Sequence, residues 1–147
     1  MDKLDRFIKA QENTYYIALN EIKNGRKRSH WMWYIFPQIK GLGMSDASRV
    51  YGIDGVIEAR AYLDNEILGA RLREITGELL KLNENNPFDI FGTIDTIKLK
   101  SCMTLFNYVS DEDIFMDVLE KFYNGEIDDK TIFLCEKGKC LTYKNKK

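Results

Sequence analysis

The 147-residue chain holds one histidine, two prolines and three cysteines, and its net charge is −1. Each shortage excludes something. With a single imidazole, any Ser–His or Cys–His nucleophilic centre has to use His30, and no serine or cysteine sits in a recognisable nucleophile elbow. Cys102, Cys135 and Cys140 are too few and too irregular for a secreted disulfide framework, and an odd count reads as reduced thiols in a cytoplasm. Cys135 and Cys140 are spaced too widely for a CxxC pair, and one distant histidine does not complete a tetrahedral site, so neither metal nor cofactor is expected. The balanced charge argues against general affinity for nucleic acid or anionic lipid. No apolar run approaches the roughly 20 residues that span a bilayer, so no membrane partner is expected. The N-terminal MDKLDRFIKAQ carries two early acids, unlike a secretory signal or transit peptide.

What is present is ordinary for a globular protein: 44% apolar and 31% charged residues, 12% of the chain aromatic. The length fits one domain, with a core over residues 4–134 and a basic tail at 135–147. Repeats, low-complexity tracts and alternating strand patterns are missing, whereas helical spacing recurs throughout. The expected class is all-α, a multi-helix bundle with short connections.

Leu4, Phe7, Ile8, Gln11, Tyr15, Ala18, Leu19 and Ile22 mark two helices, with Asn13 as the cap between them and Gly25 as a left-handed stop. Ser29 is positioned to cap a short helix over residues 30–36 that Pro37 ends. Ser45 caps another that ends at Gly52. Asp54 caps a third, with Val56, Ile57 and Tyr62 or Leu63 inward. Ile67, Leu68, Leu72, Ile75, Leu79 and Leu80 mark a fourth. Pro87 suits the first position of a single turn that stops at Gly92. Beyond it, Leu99, Cys102, Met103, Phe106 and Val109 line an inward face. Ser110 to Asp113 resembles a capping box ahead of Ile114, Phe115, Val118, Leu119 and Phe122, which Gly125 closes. Asp128 opens the last apolar run.

The densest chemistry lies in GRKRSHWMWYIFPQ, residues 25–38. Three cations, the only histidine and both tryptophans fall between residues 26 and 33. Taken singly, these are ordinary core aromatics and surface cations. Together they suit a flat anion: Arg26, Lys27 and Arg28 meet the charge with the N–H groups of a helix starting after Ser29. Trp31 or Trp33 offers a stacking face. His30, in the first helical turn, is the polar group nearest a reacting centre. Gln38 and Ser45 supply hydrogen bonds. In GTIDTIKLKS, Asp95 and Lys98 share a helix face as an ion pair or as further ligand contacts, and Ser101 and Thr104 are placed to line a polar pocket. The loop KGLGMSD matches neither a P-loop nor a dinucleotide fingerprint.

These segments carry a resemblance. RFIKAQENTYYIALNEIKNGRKRSHWMWYIFPQIKGLGMS resembles the start of an uncharacterised family, the domain of unknown function numbered 1810. The likeness continues through ARAYLDNEILGARLREITGELL, FDIFGTIDTIKLKSCMTLF and EKFYNGEIDDKTI. It implies a small, mostly helical, chiefly bacterial single-domain protein, and it brings no catalytic residues because the family has no established activity. AYLDNEILGARLREITGELL, followed by a break, FG and LKSCMTLF, is also similar to the C-terminal half of NADAR domains. There Leu63, Leu68, Leu72, Gly77 and Gly92 fall in the shared pattern, although the Glu-His-Tyr motif of those domains is absent. That likeness implies chemistry of NAD, ADP-ribose and N-glycosidic bonds.

The expected function is therefore binding, with N-glycosidic hydrolysis as the class of any processing, of a nucleotide-like or other anionic aromatic metabolite. The alternative is a non-enzymatic protein-interaction module. Single-stranded nucleic-acid binding by residues 26–36 has least support, since only one basic run is present.

Overall fold

The computed structural model describes residues 2–145, with side chains described through residue 137. Nine helices form within them: α1 (Asp5–Gln11), α2 (Tyr15–Lys23), α3 (Met32–Ile35), α4 (Asp46–Tyr51), α5 (Gly55–Asp64), α6 (Glu66–Lys81), α7 (Pro87–Val109), α8 (Asp113–Tyr123) and α9 (Asp129–Asn145). The expected all-α class holds. In place of a sheet, the described residues contain one isolated parallel bridge between Ile39 and Ile53. Its two bonds run from Lys40 N–H to the Ile53 carbonyl (2.8 Å) and from Ile53 N–H to the Gln38 carbonyl (2.9 Å). They pin the segment after α3 beside the start of α5. No helix among the described residues is long and apolar enough to cross a membrane.

Four aromatic rings build the middle of the core. Phe7 meets Tyr62 edge-on at 5.1 Å, Tyr62 meets Phe106 at 5.4 Å, and Phe106 meets Phe115 at 5.8 Å. All four are buried, so α1, α5, α7 and α8 share one apolar seam. Such pairs add about 0.5–1.5 kcal/mol each beyond their buried area. The buried Gln11 amide closes the polar side of this seam. Its Nε2 donates to the Tyr34 carbonyl (2.8 Å) and to the Tyr62 hydroxyl (3.0 Å), joining α1, α3 and α5.

Two glycines matter to the path of the chain. A Cβ at Gly69 would lie 2.1 Å from the Leu63 carbonyl, so only glycine lets α6 turn this closely against the end of α5. Gly92 (φ 75°) interrupts α7, separating the turn that begins at Pro87 from the long inward-facing remainder. This is the expected break at Gly92, and Asn86 caps the turn by accepting from Phe88 N–H.

Several local expectations are corrected. Ser29 caps nothing: its hydroxyl donates to Glu21 at 2.6 Å, and α3 is a single turn beginning at Met32 rather than a helix over residues 30–36. Thr14, not Asn13, precedes α2. Ile57 is 81% exposed, because Glu58 takes the inward position and pairs with Arg6 at 2.7 Å. Ile67, in the first turn of α6, is also exposed. The Ser110 hydroxyl donates back to the Phe106 carbonyl, and α8 starts from Glu112 instead of a Ser110 capping box. Ser45 does cap α4, accepting from Ser48 N–H at 3.1 Å.

Candidate functional site

The basic-aromatic segment is organised by Glu21, near the end of α2. Its carboxylate accepts from the backbone N–H groups of Arg28 (2.8 Å) and Ser29 (3.0 Å), from the Ser29 hydroxyl (2.6 Å) and from the Trp31 indole N–H (2.9 Å). Burial pushes its pKa up, but these donors outweigh burial and hold it at about 2. The loop is thus folded around an anion that the protein itself supplies.

Lys27 runs inward from this loop. Its ammonium lies 2.8 Å from Asp95, donates to the Ser29 carbonyl and sits 4.9 Å from the Trp31 ring centroid. The other oxygen of Asp95 lies 3.4 Å from Lys98, one turn further along α7. Lys98 in turn lies 4.1 Å over the ring of Trp33. One carboxylate therefore bridges two ammonium groups, each against a tryptophan. Cation–ring contacts of this kind strengthen as water is excluded.

Trp33 and Lys98 face a cleft of about 320 Å³ between the segment after α3, the exposed side of α7 and the start of α9. That volume is at the lower end of small-molecule sites, roughly 300–1,000 Å³. Leu42, Ile94 and Ile97 give it apolar walls, while Gln38, Ser101, Asp128 and Lys130 are its other polar groups. Asp128 is fixed where α9 begins. Its Oδ2 accepts from Thr131 N–H (3.1 Å), from the Thr131 hydroxyl and from Ser101 (3.2 Å). Its own N–H donates to Thr104 on α7 (3.0 Å), which ties the two helices together at this point.

Of the residues singled out in the sequence, Trp33, Gln38 and Lys98 line the cleft, and Asp95 supports Lys98 from behind. Ser101 lines it as well; Thr104 is occupied by Asp128 and Lys100. Lys27 and Trp31 lie beneath the surface. Trp31 is 1% exposed, with its N–H on Glu21 and Lys27 against its ring. Arg26, Arg28 and His30 are exposed and do not line this cleft, and Ser45 stays with its cap. The expected convergence of residues 26–28 on a helix N-terminus does not form: α3 starts only at Met32, Glu21 takes the N–H groups of Arg28 and Ser29, and Lys27 turns inward to Asp95. Sequence reasoning did not bring in Lys130 or the site role of Asp128. Asp128 was legible only as the opening of the last apolar run; its place in the cleft depends on how α9 lies on α7.

Among curated proteins, none matches the chain. The conserved hypothetical protein Rv1873 of Mycobacterium tuberculosis has a similar crystal structure, with a TM-score of 0.89 and 42% sequence identity over 90% of this chain and 96% of that one. The family model described as protein of unknown function, DUF1810, matches residues 1–135. The chain belongs to the DUF1810 family.

Proposed function

We propose that the cleft binds a nucleotide-like or other anionic aromatic metabolite. The Lys98 ammonium over the Trp33 ring, at the wall of a cleft with a second ammonium at Lys130, carries the proposal. A flat ring stacks on the indole between Ile94 and Ile97, and the ligand's charge is met by Lys98 and Lys130. The anion contacts are thus assigned to these two lysines rather than to Arg26 and Arg28. If the bound molecule is cleaved at an N-glycosidic bond, we assign the assisting carboxylate to Asp128, because His30 lies outside the cleft.

A thermal-shift panel of nucleotides, ADP-ribose and sugar phosphates tests this. A ligand at a hundred times its Kd stabilises the fold by about 2.7 kcal/mol. Stabilisation of the wild type that is lost in Lys98→Ala and Trp33→Leu is expected; a flat panel at millimolar ligand would end the proposal.

A second reading, a protein-interaction module, draws on the exposure of the cleft's own apolar wall and of Phe133. Ile94 (69% exposed), Ile97 (62%) and Phe133 (63%) leave apolar surface on α7 and α9. Co-purification of one stoichiometric partner, lost in Ile94→Lys, would favour it over the small-molecule site.

A further inference from the structure

We infer that the ligand ring carries an N–H donor, the mark of a nucleobase, and that Gln38 reads it. The inference rests on the binding proposed above. Gln38 is 5% exposed, yet its side chain reaches the cleft. Its Nε2 donates to the Phe36 carbonyl at 3.3 Å. A carbonyl accepts only from the amide NH2, so this bond fixes which way the amide is turned. The atom left over is the acceptor Oε1. No described residue donates to it, and it is not sealed in the core as the unpartnered hydroxyls of Thr76 and Thr96 are. Gln38 lines the cleft, and Oε1 is the acceptor it has to offer there.

A carbonyl oxygen held in the wall of a narrow cleft, with no protein donor, is free to accept from an N–H group of a ligand. Three further features narrow what that ligand is. Trp33, with Lys98 over one side of its indole, gives the cleft an aromatic wall for a flat ring. The Asp128 carboxylate accepts its three bonds through Oδ2, leaving Oδ1 as a second acceptor suited to a sugar hydroxyl. Lys98 and Lys130 supply charge for one phosphate, and the cleft volume fits one nucleoside monophosphate better than a dinucleotide. A ring bearing only acceptors, or a bare aryl phosphate, satisfies Trp33 and the lysines but leaves Gln38 unmet.

The test is calorimetric titration of wild-type protein with the four ribonucleoside 5′-monophosphates, with phenyl phosphate, and with the tightest nucleotide after its base N–H groups are replaced by N-methyl. Each is repeated on Gln38→Met. The expected result is binding of at least one nucleotide, weakened about tenfold or more by methylation in the wild type and by much less in Gln38→Met. Should Gln38→Met fail to fold, the wild-type comparison decides alone. Equal affinity for the parent and methylated nucleotides overturns the inference, as does a methylation penalty that persists in Gln38→Met. Binding of phenyl phosphate without any nucleotide also overturns it, while leaving the anionic aromatic site intact. If nothing binds, both are lost.

Discussion

The Lys27 ammonium lies 2.8 Å from the Asp95 carboxylate, with the two side chains only 8% and 18% exposed. Asp95 serves Lys98 as well, so the two partners are not equivalent. Asp95→Ala leaves two poorly hydrated cations facing each other and is expected to cost about 3 kcal/mol. Lys27→Met removes one charge while Asp95 keeps Lys98, so its cost should be smaller. Urea denaturation of both variants at neutral pH checks the order. A larger loss in Lys27→Met would show that Asp95 is not the hub.

Glu21 gives the fold a defined acid sensitivity. Its pKa in the folded protein is lowered from the ordinary 4.5 to about 2, so its contribution to stability is fully present above pH 5. That contribution fades as pH falls from about 4.5 towards 2. Glu58 and Glu112 are also held low and act in the same direction, so the difference between wild type and Glu21→Gln is the informative quantity. Urea midpoints should lie furthest apart at pH 7, narrow below about pH 4.5 and converge only towards pH 2. A constant gap across that range would contradict the assignment.

The two tryptophans separate core from site. Trp31→Ala, at a buried position with a bonded indole N–H, is expected to cost about 3–5 kcal/mol. Trp33→Leu, half-buried beside the cleft, should cost much less and act mainly on ligand binding. Trp31 and Trp33 are also the chain's only indoles, so fluorescence of Trp31→Phe reports Trp33 alone and should respond to ligand. A ligand that binds without changing that signal is not stacked on Trp33.

Gly69→Ala should destabilise by roughly 3 kcal/mol, because the new methyl meets the Leu63 carbonyl, a backbone atom that cannot swing aside. Gly77→Ala, further along the same helix, finds its nearest neighbour at 4.0 Å and should be neutral or mildly stabilising. Thermal denaturation of the two variants measures the contrast; similar melting temperatures would refute the close approach at Gly69.

Much of this architecture is legible in the linear pattern. The Leu68, Leu72, Ile75 and Leu79 stripe of α6 is buried as its spacing requires, as is the Leu99, Cys102, Met103 and Phe106 stripe of α7. Ser45, Pro87 and Gly92 act where their local chemistry puts them. Short segments were less legible. Whether Ser29 caps a helix depended on Glu21, eight residues earlier, competing for the same hydroxyl. Whether Ile57 turns inward depended on Arg6 meeting Glu58 from across the fold.

By itself the sequence determined the helical class, the helix-forming stripes and the gathering of cations with tryptophans in residues 26–33, because periodicity and capping act over a few residues. The tertiary structure decided which of those groups face a ligand. The loop after α2 lies against α7, where Lys27 N–H donates to the Ile90 carbonyl at 2.8 Å, and this draws Lys27 and Trp31 inward to Asp95 and Glu21. Docking of α9 on α7 through Thr104 and Asp128 completes a cleft from residues as far apart as Trp33 and Lys130. Local propensity carries no record of such contacts, since their free energy exists only once distant segments have met.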